Sequence, residues 1–192
     1  FVDWKLSLEE KYYTFKNQIA DDIVMGEIIQ SEGNVNIFPS WSPNGKLFTF
    51  LSNRKHESFF QTDLYIYQIK DSTTSLIVPG VKTAVTWQND STLIYSKLSE
   101  PNIKGSIYYD IYKYNLIENN EGELTYDKDN EERLTYSSRL VSPIFIPDKN
   151  KIIAINNYDG TSNILISDIS KIDFQQITNY NDGSYISSIN LM

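Results

Sequence analysis

Three stretches of this chain follow one plan, and a repeated plan narrows the fold more than any single motif. Trp41 leads into Ser42-Pro43-Asn44-Gly45 and then Lys46-Leu47-Phe48-Thr49-Phe50. Trp87 leads into Gln88-Asn89-Asp90-Ser91 and then Thr92-Leu93-Ile94-Tyr95-Ser96. Phe145 leads into Ile146-Pro147-Asp148-Lys149-Asn150 and then Lys151-Ile152-Ile153-Ala154-Ile155. Each time an aromatic residue precedes a polar turn and an apolar strand. The intervals are about 46 and 58 residues, and the longer one holds the acidic stretch 118–132. A second landmark follows each first one: Asp63-Leu64-Tyr65-Ile66-Tyr67, Asp110-Ile111-Tyr112-Lys113-Tyr114 and Asn163-Ile164-Leu165-Ile166-Ser167. A weaker third is Ser75-Leu76-Ile77-Val78, Arg133-Leu134-Thr135-Tyr136 and Gln176-Ile177-Thr178-Asn179. A fourth copy begins at Tyr185-Ile186-Ser187-Ser188-Ile189.

Each unit therefore holds four short strands, the pattern of a propeller blade. A single four-stranded sheet cannot bury both of its faces, whereas blades stacked about an axis bury them against one another. The expected fold is all-β: a partial β-propeller of about three four-stranded blades plus the start of a fourth, preceded by one N-terminal α-helix. The blades fall at about 37–80, 81–136, 137–180 and 181–192, within a propeller region 28–192. Asn44-Gly45 supplies positive φ values for a tight hairpin turn. The acidic stretch holds seven carboxylates against Lys128 alone, and reads as an exposed loop or extended hairpin.

Residues 3–25 read differently. Trp4, Leu8, Tyr12, Phe15, Ile19 and Ile23 recur at helical spacing. Ser7 and Glu10 fit a capping box, Asp3 is an alternative cap, and Gly26 suits a stop. Residues 1–27 are expected to be the tail of a preceding domain. The chain begins at Phe1, which suggests a fragment.

The repeat resembles the WD40-like repeats of the TolB family of β-propellers, which read approximately P-x-W-S-P-D-G-K-x-I-A-F-x-S, then D-I-Y, then L-T. Pro39-Ser40-Trp41-Ser42-Pro43-Asn44-Gly45-Lys46 matches almost residue for residue, and Phe50, Ser52, Asn53 and Asp63-Leu64-Tyr65 continue the match. The second copy departs, with Gln88-Asn89-Asp90-Ser91 for Ser-Pro-Asp-Gly. The third keeps Pro147-Asp148 but carries Phe145 for the Trp. The resemblance covers about residues 36–192 and implies the propeller fold, not one function. More weakly, the start resembles the junction in bacterial envelope proteins where a gluzincin-type peptidase-like domain precedes such a propeller.

Chemistry is sparse. A zinc peptidase needs H-E-x-x-H, but His56 is the one histidine and it sits in a polar stretch. The nucleophile elbow G-x-S-x-G, the Walker loop and G-x-G-x-x-G are absent. There is no Cys, which excludes disulfides and thiolate metal sites. The net charge of −8 and the lack of a Lys/Arg cluster argue against nucleic-acid binding. No apolar run approaches the roughly 20 residues of a spanning helix. No catalytic residue, cofactor or metal ligand is assigned. Trp41, Pro43, Asn44, Gly45, Asp63, Trp87, Asp110, Phe145, Pro147, Asp148 and Asn163 are expected to be structural repeat positions, with both Trp in blade cores. Tyr108, Tyr109, Tyr112 and Tyr114 are candidates for a contact patch or for packing between blades.

These readings lead to a non-catalytic module for protein–protein interaction in a bacterial envelope protein, periplasmic or envelope-associated, with an unidentified protein partner and no membrane insertion of its own. The alternative is an accessory or gating propeller of a larger peptidase, with a metallopeptidase-like domain upstream or an α/β-hydrolase downstream. An open stack of three blades is also expected to be prone to aggregation.

Overall fold

A computed structural model describes residues 2–20 and 26–190. The chain forms two compact units, 1–31 and 32–192.

The first unit contains helix α1, Val2–Ala20. Residues 21–25 of the expected helix, Ile23 among them, lie outside the described residues. The capping box is corrected: the helix starts before Asp3, so Ser7 and Glu10 lie inside it, and Asp3 instead supplies negative charge to the first turn. Tyr12, Phe15 and Ile19 on the expected apolar face are exposed.

The second unit is built of antiparallel four-stranded sheets. Blade 1 has the order β1 (Asn36–Trp41), β2 (Leu47–Ser52), β3 (Asp63–Gln68), β4 (Thr73–Val78). Blade 2 runs β5 (Thr86–Asn89), β6 (Thr92–Leu98), β7 (Tyr109–Asn115), and then β10 (Glu131–Arg133), because the insertion interposes a two-stranded hairpin of β8 (Ile117–Glu118) and β9 (Leu124–Thr125). Blade 3 runs β11 (Leu140–Ile146), β12 (Lys151–Asn156), β13 (Asn163–Asp168), β14 (Lys171–Gln176). The blades are sequential meanders, and no sheet closes on itself.

The middle strands are apolar on both alternations because both faces are covered. Leu51, Leu64 and Ile66 of blade 1 form one core with Trp87, Leu93 and Tyr95 of blade 2. Ile94 and Ile111, on the other face of blade 2, form a second core with Leu140, Phe145, Ile152 and Ala154 of blade 3.

The aromatic landmark of each blade is anchored on the blade before it. The Trp87 indole N–H donates to Ser40 O at 3.0 Å, across the gap between blades 2 and 1. Phe145 packs on Ile94 and Ile111, and its backbone N–H donates to Thr86 Oγ1 at 3.2 Å. Trp41 corrects the expectation of a second core tryptophan. It is 57% exposed, because blade 1 has no earlier blade in this unit to receive it, and it packs edgewise on Phe48 instead, ring centres 5.1 Å apart.

Other local expectations also shift. In the first hairpin only Gly45 takes a positive φ, +68°. Asn44 acts through its side chain, accepting from Ser42 Oγ and Lys46 N, each at 2.9 Å. The third landmark lies at or beyond the end of the last strand in blades 2 and 3, since β10 ends at Arg133 and β14 at Gln176. The acidic insertion is not simply a solvated loop: Leu124 is buried in the first core, and Tyr126 stacks on Tyr114 with ring centres 5.9 Å apart. Residues 181–190 form no strand, although Ser162 N donates to Ser184 O at 2.8 Å.

Candidate functional site at the axial mouth

The first strands of the blades converge. Phe38-Pro39-Ser40 of β1, Ala84-Val85-Thr86, Pro143-Ile144-Phe145 of β11, and Ile189-Asn190 together line one cavity of about 340 Å³. These segments are equivalent in the repeat. The start of the fourth copy therefore occupies an inner-strand position even though no second strand pairs with it.

Two of the inner strands bend in the same way. Phe38 has φ +54° and Ser142 has φ +51°, each directly before a proline. Both strands break register at that point, β1 between Ile37 and Ser40 and β11 between Val141 and Ile144. Proline has no N–H to give a ladder, so it is tolerated on an edge strand, and a bulge there turns the chain.

The cavity opens into a wider mouth of about 540 Å³. Arg139 is its centre. The guanidinium lies 4.7 Å from the Tyr108 ring centre and 4.8 Å from that of Tyr158. It also donates to Tyr158 O at 2.9 Å. A cation between two aromatic faces is held electrostatically and keeps donors for a ligand. The Tyr108 hydroxyl is shifted down, first by its hydrogen bond with Ser106 and then by Arg139. Phe38, Ile107 and Tyr185 complete a largely apolar rim, and all three are exposed.

Arg139 is placed by the loop that links blades 2 and 3. Ser137 and Arg139 both have positive φ, +54° and +57°. The loop wraps around Asp110, which is fully buried. Asp110 Oδ1 accepts from Ser138 N at 2.8 Å and Thr135 Oγ1 at 3.1 Å; Oδ2 accepts from Ser137 N at 3.0 Å and Arg133 at 2.5 Å. The other copies repeat the motif. Asn163 Oδ1 accepts from Thr178 Oγ1 at 3.0 Å and Tyr180 N at 2.8 Å. Asp63 accepts from Gly80 N at 2.8 Å and pairs with His56 at 2.7 Å. The Thr of the third landmark serves strand as well as loop: Ile111 N donates to Thr135 Oγ1 and Ile164 N to Thr178 Oγ1, both at 2.9 Å.

The remaining repeat positions lie at the opposite ends of the strands. Pro43, Asn44 and Gly45 form the exposed β1–β2 turn, and Pro147 and Asp148 lie in a 3-10 turn before β12. Asn44 N donates to Asp90 Oδ1 at 2.8 Å, joining the turns of blades 1 and 2. Of the four candidate tyrosines, Tyr108 and Tyr109 line the mouth, whereas Tyr112 and Tyr114 are buried in the first core. Sequence reasoning missed Arg139, Tyr158 and Tyr185. The available signal was position, since Arg139 and Tyr185 follow the third landmark, where the chain passes between blades. Among the described residues no cluster of three or more His, Asp or Glu side chains is placed to hold a metal ion.

No family profile matches the chain, and no curated protein matches it. Solved structures do. TolB from Acinetobacter baumannii superposes with a TM-score of 0.58 at 20% identity, over 79% of this chain and 34% of that one. A protein described as TolB from Agrobacterium tumefaciens gives 0.54 at 17% identity, over 78% of this chain and 50% of that one. A structure from a study of two prolyl endopeptidases gives 0.56 at 11% identity, over 79% of this chain and 22% of that one. The chain thus spans half or less of each of these proteins, and what it shares with them is a fold, that of the TolB-like β-propeller.

Proposed function

We propose that this segment is a non-catalytic propeller module that binds a protein partner, with the axial mouth as the contact surface. The observation that carries the reading is the Tyr108–Arg139–Tyr158 stack at the end of a channel lined by the inner strands. Arg and Tyr are the residues most often dominant in protein interfaces, because they combine large contact area with directed hydrogen bonds. Rigid blades beneath hold the mouth in one shape, so little ordering is needed on binding. The likeness to TolB supports a bacterial envelope setting. No helix among the described residues is long and apolar enough to cross a membrane.

The recurring positions are assigned structural roles. Asp63, Asp110 and Asn163 tie the entry of the third strand to the loop leaving the blade, and Trp87 and Phe145 anchor blade on blade. Trp41, Pro43, Asn44, Gly45, Pro147 and Asp148 shape the inner hairpins. We assign residues 1–27 to a preceding domain and 28–192 to the propeller.

The test is affinity capture from envelope extract with the intact protein and its Arg139→Glu variant, after equal folding is shown by circular dichroism. A partner retained by the parent and lost by the variant is the expected result. Equal retention by both would move the contact surface away from the mouth. A second reading, an accessory propeller of a larger peptidase, draws on the prolyl endopeptidase likeness. A G-x-S-x-G elbow downstream or H-E-x-x-H upstream would select it.

A further inference from the structure

A second cavity, of about 690 Å³, lies between blades 1 and 2 on the outer side of Lys82 and Leu98. Its size falls in the range of small-molecule sites, roughly 300–1,000 Å³. Tyr126 and Lys128 of the insertion form part of its wall. The packing of Leu124 and the stacking of Tyr126 on Tyr114 hold the insertion there.

The lining concentrates positive charge in a chain of net charge −8. It contains Lys82, Lys97, Lys128 and Arg133 against Asp63, Glu100 and Glu131, a surplus of about one positive charge with His56 neutral. Most of these groups are already engaged. Lys97 Nζ lies 2.6 Å from Glu131, Arg133 lies 2.5 Å from Asp110, and His56 lies 2.7 Å from Asp63. Tyr95 donates to Glu131, which completes that carboxylate's partners from within the core. The side chains of Lys82 and Lys128 have no ion-pair partner among the described residues, and both are exposed at the cavity. Beside them Pro79, Leu98 and the two tyrosines Tyr112 and Tyr126 offer apolar surface.

We infer that this cleft binds a monocarboxylate with an apolar body, its carboxylate between Lys82 and Lys128 and its body against Tyr126 and Leu98. One surplus charge matches a monoanion better than a doubly charged phosphate. The engaged pairs fix the walls, so the two free lysines carry the recognition. The same chemistry is found in a small organic acid and in a free peptide C-terminus. This site is separate from the axial mouth and does not depend on its function.

The test is isothermal titration of the intact protein with four probes: benzoate, an acetylated tetrapeptide ending in phenylalanine, its C-terminal amide, and inorganic phosphate. Saturable binding of benzoate or the free-acid peptide, with the amide and phosphate at least about tenfold weaker, is expected. The tighter of the two acids then identifies the source. Lys82→Gln and Lys128→Gln should each weaken binding about tenfold, and Lys171→Gln should leave it unchanged. Glu100→Gln, which removes an opposing carboxylate, should tighten it. Equal binding of acid and amide, phosphate as tight as the acids, no binding at millimolar concentration, or indifference to both lysine substitutions would overturn the proposal.

Discussion

A single carboxylate holds the loop that carries Arg139. Asp110 is fully buried and answers donors from four other residues, Arg133 among them. Asp110→Ala would leave a charged guanidinium and two backbone N–H groups without their acceptor, and should destabilise the domain by about 3 kcal/mol or more. Asp63 answers only Gly80 N and His56, so Asp63→Ala should lose about 1–2 kcal/mol. Urea unfolding of both variants checks the order. Ser142 presents the opposite case. Its φ of +51° disfavours any residue with a Cβ, and Ser142→Gly should gain about 0.5–1 kcal/mol in the same measurement, after the entropy of glycine is subtracted. Asp168 offers a pH test. Hydrogen bonds from Ser170, side chain first, hold its carboxyl below the ordinary 3.8. A depressed folded value means that the stabilisation is complete above 3.8 and is lost as pH falls through the folded value. In an NMR titration, Ser170→Ala should return the Asp168 midpoint towards 3.8.

At the level of the strand and the blade, the two tryptophans should behave very differently despite their shared place in the repeat. Trp87→Ala removes a buried indole and its bond to Ser40, and should lose about 3–5 kcal/mol. Trp41→Ala should lose less than about 1 kcal/mol, since that ring is 57% exposed. Thermal unfolding of both separates them. This contrast also shows what could be read from the residues. The hairpins were legible because aromatic, turn and strand are close in sequence and each carries its own chemistry. The burial of Trp41 was misjudged because it depends on which blade lies beside it, and sequence spacing carries no such information. The bulges at Phe38 and Ser142 depend on several strands meeting at one axis. The packing of the insertion rests on Leu124 and Tyr126, two apolar residues in an acidic run that gives no periodic signal. Arg139 was invisible as chemistry because a lone arginine in a polar loop has no motif.

For the molecule as a whole, the outer face of blade 1 matters most. Trp41, Phe48 and Tyr67 form a connected aromatic row there, with Phe48 to Tyr67 ring centres 5.2 Å apart. Residues 32–192 leave the Trp41 end of that row open. Residues 1–192 expressed alone should therefore self-associate through it. Sedimentation velocity should show mass rising with concentration, and Trp41→Lys should reduce the effect. A monomer at all concentrations would show that the row needs no cover.

The habit of seating each blade's aromatic on the blade before it gives the stack a direction. A chain made from its N-terminus always has a finished sheet waiting for the next one. Blade 2 needs only the Ser40 carbonyl and the apolar face of blade 1, both already synthesised, to seat Trp87. Blade 3 finds Thr86 and Ile94 in place for Phe145 in the same way. Such a sequence can be assembled as it leaves the ribosome, one sheet at a time, without waiting for the last to be translated.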